Sequence, residues 1–120
     1  MAEQLCVAGG APVVYNRTRA KAEPLQSKGA TIAAHPAEVV QATEVIILML
    51  TDAPAIRAVV LSDAVRPYLA QRTIIQMGTI SPEESLEIGS AVQAAGGDYL
   101  EAPVLGSIPQ AQAGNLVVMV

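Results

Sequence analysis

Tryptophan and phenylalanine are both missing from these 120 residues, and aromatic side chains make up only 2% of them. The core must therefore be built from Ala, Val, Ile, Leu and Met, which suits tightly packed layers of helix and sheet. Cysteine is confined to Cys6, so an internal disulfide is excluded, as expected of a chain in a reducing cytoplasm. Without a cluster of Cys and His there is no zinc-type ligand set. Cys6 itself is expected to pack near the N-terminus rather than to react. Charge is also scarce, at 15% of residues, with seven Lys and Arg spread thinly and a formal net charge of -4. That leaves no basic stripe for a phosphate backbone and argues against nucleic acid as a partner. The longest apolar run, Val45 to Leu50, is far short of the ~20 residues that span a bilayer. The N-terminus lacks a basic region followed by an apolar one, so nothing directs the chain to a membrane or to export.

What is present is apolar material: 52% of the residues are hydrophobic, ample for the core of one globular domain. The mean hydropathy of +0.41 points further, to apolar surface that something else should cover. Short apolar runs alternate with helical patterns along the whole chain, without repeats or linkers, and this order predicts a mostly parallel sheet. Residues Ala2 to Ala8 read as the last turns of a helix closed by Gly9-Gly10. Val13 to Asn16 reads as a strand. Thr18 is placed to cap the next helix, which Gly29 stops before a short extended piece, Thr31 to Ala33.

Pro36 suits a first helical position, with Val39 and Val40 facing inward. The continuous run Val45 to Leu50 is expected to be a central strand covered on both faces. Asp52 can cap a helix bearing Ile56, Val59 and Val60, and Thr73 to Met77 forms another strand. The clearest local signal is Ser81-Pro82-Glu83-Glu84, a capping box with Pro at the first helical position. Ile88, Ala91, Val92 and Ala95 give that helix its buried stripe, which ends at Gly96-Gly97. Tyr99 to Ala102 and Leu116 to Val120 read as two further strands.

In open α/β sheets ligands lie at the carboxyl ends of the strands. The residues there are Asn16-Arg17-Thr18, Thr51-Asp52, Gly78 to Ser81 and Pro103 to Ser107. At the end of a second strand an acidic residue would bind a ribose 2′-hydroxyl and mark NAD; Asn16-Arg17 stands in its place. A guanidinium can stack on adenine and pair bidentately with a 2′-phosphate, which favours NADP over NAD. Taken alone, Arg17 reads as an exposed turn arginine with no ligand, and it is the surrounding motifs that reverse this.

The motifs Met1-Ala2 with Leu5, Ala8-Gly9, Val14-Tyr15-Asn16-Arg17-Thr18, Met49-Leu50-Thr51-Asp52, Met77 to Pro82 and Glu101 to Ser107, in this order, resemble the β-hydroxyacid dehydrogenase family. That family includes 3-hydroxyisobutyrate dehydrogenases, glyoxylate and succinic semialdehyde reductases and, more distantly, 6-phosphogluconate dehydrogenase. The resemblance covers essentially the whole chain and implies an α/β, Rossmann-like, doubly wound and mostly parallel sheet. It implies that Asn16, Arg17 and Thr18 surround the adenosine end of NADP, that Leu50 and Thr51 line the cofactor near its ribose, and that Thr79 approaches the nicotinamide. Gly106 and Ser107 would face the carboxylate of a small hydroxy acid. Glu101, Leu105 and Ser107 depart from the Asp, Ser and Gly common in the family, which leaves the substrate open. Gln4 likewise stands where Asn is common.

By the same resemblance, residues 1-120 form a partial NADP-binding domain. The first strand and its glycine-rich loop, the family's catalytic lysine and its all-helical C-terminal domain have no counterpart in the chain. Lys21 and Lys28 are expected to face solvent and cannot replace that lysine, so no catalytic residue is assigned. His35, before Pro36, is expected to cap a helix at the surface rather than act as an acid or base. In the usual strand order the absent strand belongs between Val13 and Val45, leaving a gap of roughly 10 Å. The edges can close by direct pairing or accept a strand from another chain, which leaves room for a homo-oligomer; an open gap lowers stability below that of a complete cofactor domain.

The expected function is that of an oxidoreductase fragment whose longer relatives transfer hydride between NADPH and a small aldehyde or hydroxy acid. The fragment itself is expected not to turn over, and to bind NADPH weakly or undetectably. The competing class is a non-catalytic interaction module that keeps the fold. A receiver-like domain has a similar element order but needs clustered strand-end aspartates, and only Asp52 is suitably placed.

Overall fold

A computed structural model describes residues 6, 11-50, 52-105 and 117-118, with the side chains of the last two and of 104-105 left aside. Cys6 is helical and half-buried; the rest of the helix expected over Ala2 to Ala8 lies outside the described residues.

The chain alternates strand and helix. β1 (Val13–Val14) leads to the short helix α1 (Arg19–Ala22), which tightens into a 3₁₀ segment over Glu23–Lys28. Pro24 accounts for the change, because its ring removes a donor and clashes with the preceding turn of an α-helix. Gly29 ends this segment at φ 106, where its N–H binds the Gln26 carbonyl and the Ala30 N–H binds that of Leu25. β2 (Thr31–Ile32) then pairs in parallel with β1. After α2 (Pro36–Ala42) come β3 (Val45–Leu48), α3 (Ala53–Val60), a 3₁₀ turn over Arg66–Tyr68, β4 (Thr73–Gln76), α4 (Pro82–Ala94) and β5 (Asp98–Glu101). Strands β3, β4 and β5 form a parallel sheet in that order. A final antiparallel pair joins β6 (Val104–Leu105) to β7 (Val117–Val118), so the expected last strand lies outside the parallel sheet.

Two of the expected caps form. The Asp52 carboxylate accepts from the Ala55 N–H at 2.9 Å, and Ser81 with Glu84 forms both bonds of a capping box. At the far end of α4 the Gly97 N–H binds the Val92 carbonyl and the Gly96 N–H that of Gln93. Gly96 at φ 91 supplies the left-handed residue that this C-terminal motif requires.

The core lies on one face of the three-stranded sheet. Ile46 and Leu48 of β3 and Ile74 of β4 meet Val40 of α2, Ile56 and Val60 of α3, Val65, Leu69, and Ile88 and Val92 of α4. The opposite face departs from expectation. β3 is an edge strand among the described residues, not a central one, and its burial alternates: Val45 is 56% and Ile47 39% exposed. Leu100 of β5, in register with Ile47 and Ile75, is also exposed. The run is apolar on both sides, but every helix in the core cluster packs on the same side. Part of the apolar surface anticipated from the hydropathy lies here; Met49, Tyr68 and Leu86 expose more of it elsewhere.

Among the described residues no pairing joins the β1–β2 sheet to the β3–β4–β5 sheet. The edges on either side of the expected gap do not close on each other. No helix among the described residues is long and apolar enough to cross a membrane.

Candidate functional site

Three strand ends carry the residues singled out above. At the end of β1, Asn16 bends the chain: its side-chain oxygen accepts the Thr18 N–H at 2.9 Å. This is an Asx turn, the local bond that short amide side chains make in preference to helix. Thr18 occupies the N-cap position of α1, yet its hydroxyl forms no cap bond. The expected Thr18 side-chain cap is thus not formed; the Lys21 N–H is taken by the Thr18 backbone carbonyl instead. Arg17 sits at the centre of the turn, exposed, with no hydrogen bond or ion pair to another described residue. Asn16 and Thr18 are exposed beside it.

The ends of β3 and β4 meet. A Cβ placed on Gly78 would lie 2.8 Å from the Leu50 carbonyl oxygen, closer than carbon and oxygen tolerate, so this approach is open only to glycine. Leu50 is half-buried and Thr79 exposed. Beneath them lies a residue the sequence reading passed over. Gln76 is 0% exposed; its carboxamide oxygen accepts the Gly78 N–H at 2.9 Å and its carboxamide nitrogen donates to the Gly78 carbonyl at 2.8 Å. A polar residue amid Ile74, Ile75 and Met77, two places before a glycine, is the signal that marks it, because a buried amide must find partners.

The structure thus brings Leu50, Gly78 and Thr79 together, while Asn16, Arg17 and Thr18 lie at the end of a strand in the other sheet. Thr51, Gly106 and Ser107 lie outside the described residues. His35 occupies the N-cap position of α2 but makes no cap bond; the Glu38 carboxylate instead accepts the Ala34 N–H at 3.3 Å. Its expected capping role is therefore not realised. Lys21 and Lys28 are exposed on the segment after β1, as expected. No group of three His, Cys, Asp or Glu among the described residues could hold a metal. An open groove of about 470 Å3 between Arg66, Pro67, Ala91, Ala94 and Ala95 lies by the turn before β4 and the last turns of α4. That is the end of the sheet away from the ligand-binding rim of such folds.

Parallel strands alternating with helices, an arginine-bearing turn after one strand and a glycine-tight contact between the next two strand ends define a Rossmann-like nucleotide-binding domain. The family model for the NAD binding domain of 6-phosphogluconate dehydrogenase matches residues 1–120. The chain belongs to that family and is a nicotinamide-cofactor domain of the oxidoreductase type. It is 31% identical over 121 residues to the cytokine-like nuclear factor N-PAC of Aedes aegypti, covering 99% of this chain and 22% of that protein. It is 34% identical over 108 residues to glyoxylate/succinic semialdehyde reductase 1 of Arabidopsis thaliana, covering 88% of this chain and 37% of the reductase. Among solved structures, the reductive aminase from Aspergillus terreus in complex with NADPH and ethyl levulinate superposes with a TM-score of 0.88 at 28% identity, over 98% of this chain and 41% of the aminase. The chain therefore spans well under half the length of each of these relatives.

Proposed function

We propose that the chain holds NADP at the carboxyl ends of β1, β3 and β4, as the cofactor-binding part of a reductase or dehydrogenase acting on a small hydroxy acid or aldehyde. The observation that carries this reading is Arg17. The Asx turn fixes the backbone that carries Arg17, and the exposed guanidinium, which has no ion-pair partner among the described residues, is available to a dianionic 2′-phosphate. Asn16 and Thr18 supply further polar groups at the adenosine end. The close approach of Leu50 and Gly78 forms a floor free of side chain, on which a ribose can lie, and Thr79 offers a hydroxyl toward the nicotinamide.

The nicotinamide, when bound, supplies or accepts the hydride. The residues of this chain do the binding and orientation, and Gly106 with Ser107 are the residues proposed for the substrate carboxylate. An all-helical domain of the family type would contribute the lysine that moves the proton. Mapping NADP+ onto the protein through backbone amide shifts tests the reading: changes gathered at Arg17, Leu50 and Thr79 support it, and their absence at millimolar nucleotide contradicts it.

A second reading, an interaction module on the same fold, is favoured by two observations. One is the similarity to N-PAC, a nuclear factor by its name, over nearly the whole chain. The other is the exposed apolar row of Val45, Ile47 and Leu100, a surface of the kind that partners cover. Undiminished folding with no nucleotide binding would favour this reading.

A further inference from the structure

We propose that Gln76 is a positioning residue for the cofactor site: its buried carboxamide sets the turn that presents Thr79 to the nicotinamide end of the nucleotide. The inference deepens the cofactor reading above and rests on it. Three observations carry it. First, Gln76 is fully buried at the carboxyl end of β4, where an amide is retained only if its polar atoms are paired. Second, both of its bonds go to one residue, Gly78, engaging that residue's N–H and its carbonyl together. A side chain that clasps both backbone groups of a single residue fixes the orientation of two successive peptide planes, the second of which leads directly into Thr79. Third, the clasped residue is the one held against the Leu50 carbonyl, with no room for a Cβ.

Gln76 therefore determines how closely the β3 and β4 ends approach. The main chain around it is separately anchored, since the Met77 N–H binds the Leu48 carbonyl and the Ala102 N–H binds the Gln76 carbonyl. Loss of the side chain should then loosen the turn without releasing the strand. The carboxamide acts through Thr79 and touches neither nucleotide nor substrate.

The test compares wild type with Gln76→Met, which keeps the length and bulk but deletes both bonds, and with the core variant Ile88→Val as a control for simple destabilisation. Amide hydrogen exchange of the Gly78 N–H should accelerate about tenfold or more in Gln76→Met, while the Met77 and Ala102 amides keep their protection. Titration with NADP+ followed by amide shifts should show affinity reduced about fivefold to tenfold in Gln76→Met and unchanged in Ile88→Val.

Wild-type exchange at Gly78 in the Met variant would overturn the clasp. An affinity equal to wild type despite a loosened turn would overturn the positioning role alone. Wild-type protein that binds neither NADP+ nor NAD+ would overturn the cofactor reading itself, and the positioning role with it. Should Gln76→Met fail to fold, Gln76→Asn carries the test: its amide is one methylene short of Gly78, and wild-type exchange and affinity in that variant would equally overturn the proposal.

Discussion

The Ser85 hydroxyl and the Tyr99 phenol lie 2.8 Å apart, tying α4 to β5. Gly89, one turn further along α4, makes room for the ring: a Cβ there would sit 3.0 Å from Tyr99 Cδ1. Burial raises the phenol above its ordinary 10.0; the bond to Ser85 pulls it down, and the Glu101 carboxylate pushes it up. A phenol raised in the folded state adds stability that is fully present below the unfolded value and is lost as pH climbs through the folded one. Urea unfolding should therefore show wild type losing more stability than Tyr99→Phe as the pH rises past the ordinary phenol value of 10.0. At neutral pH the Phe variant should be weaker by about 1–2 kcal/mol, because the Ser85 hydroxyl is left buried without its partner.

Ser81→Ala removes the side-chain acceptor for the Glu84 N–H and leaves only the backbone half of the capping box, the bond from the N–H of residue 81 to the Glu84 carboxylate. Loss of such a cap costs about 1 kcal/mol, and thermal melting should move down by roughly 5 °C for a domain of this size. An unchanged midpoint would mean that water satisfies the first turn of α4 equally well.

Arg17→Ala should abolish the preference for NADP+ over NAD+ without unfolding the protein. The side chain is exposed and carries no structural bond among the described residues. The expected loss is about tenfold in NADP+ affinity, with NAD+ affinity little altered. Parallel titrations with the two nucleotides check this; equal losses for both would assign Arg17 to the shared adenosine, and no loss for either would mean that it makes no contact.

The local rules were legible because they act over three or four residues. The Ser81–Glu84 box, the Asp52 cap and the left-handed Gly29 and Gly96 can all be read from adjacent side chains. Thr18 takes the N-cap position but not the cap bond, because the Lys21 N–H is already held by the Thr18 backbone carbonyl in a helix of only four residues. The Val45–Leu50 run was misread as a doubly covered strand because apolar residues on both faces look alike in sequence, whichever face the helices choose. The placement of Arg17, Leu50 and Thr79 just beyond strand ends was legible, because each follows a short apolar run. Its support was not: Gln76 reads as one more strand residue until its carboxamide is seen to turn back on Gly78. The antiparallel pairing of β6 and β7 was also missed, since two-residue strands carry no periodicity.

The account rests on a nicotinamide nucleotide lying across the strand ends, and amide shift mapping of the chain with NADP+ tests this most directly. The prediction is a contiguous set of changes at Asn16–Thr18, Leu50 and Gly78–Thr79 that saturates in roughly the millimolar range or below. Changes confined to the groove at Arg66 and Ala91, or to the face of Val45 and Leu100, or no changes at all, would contradict it.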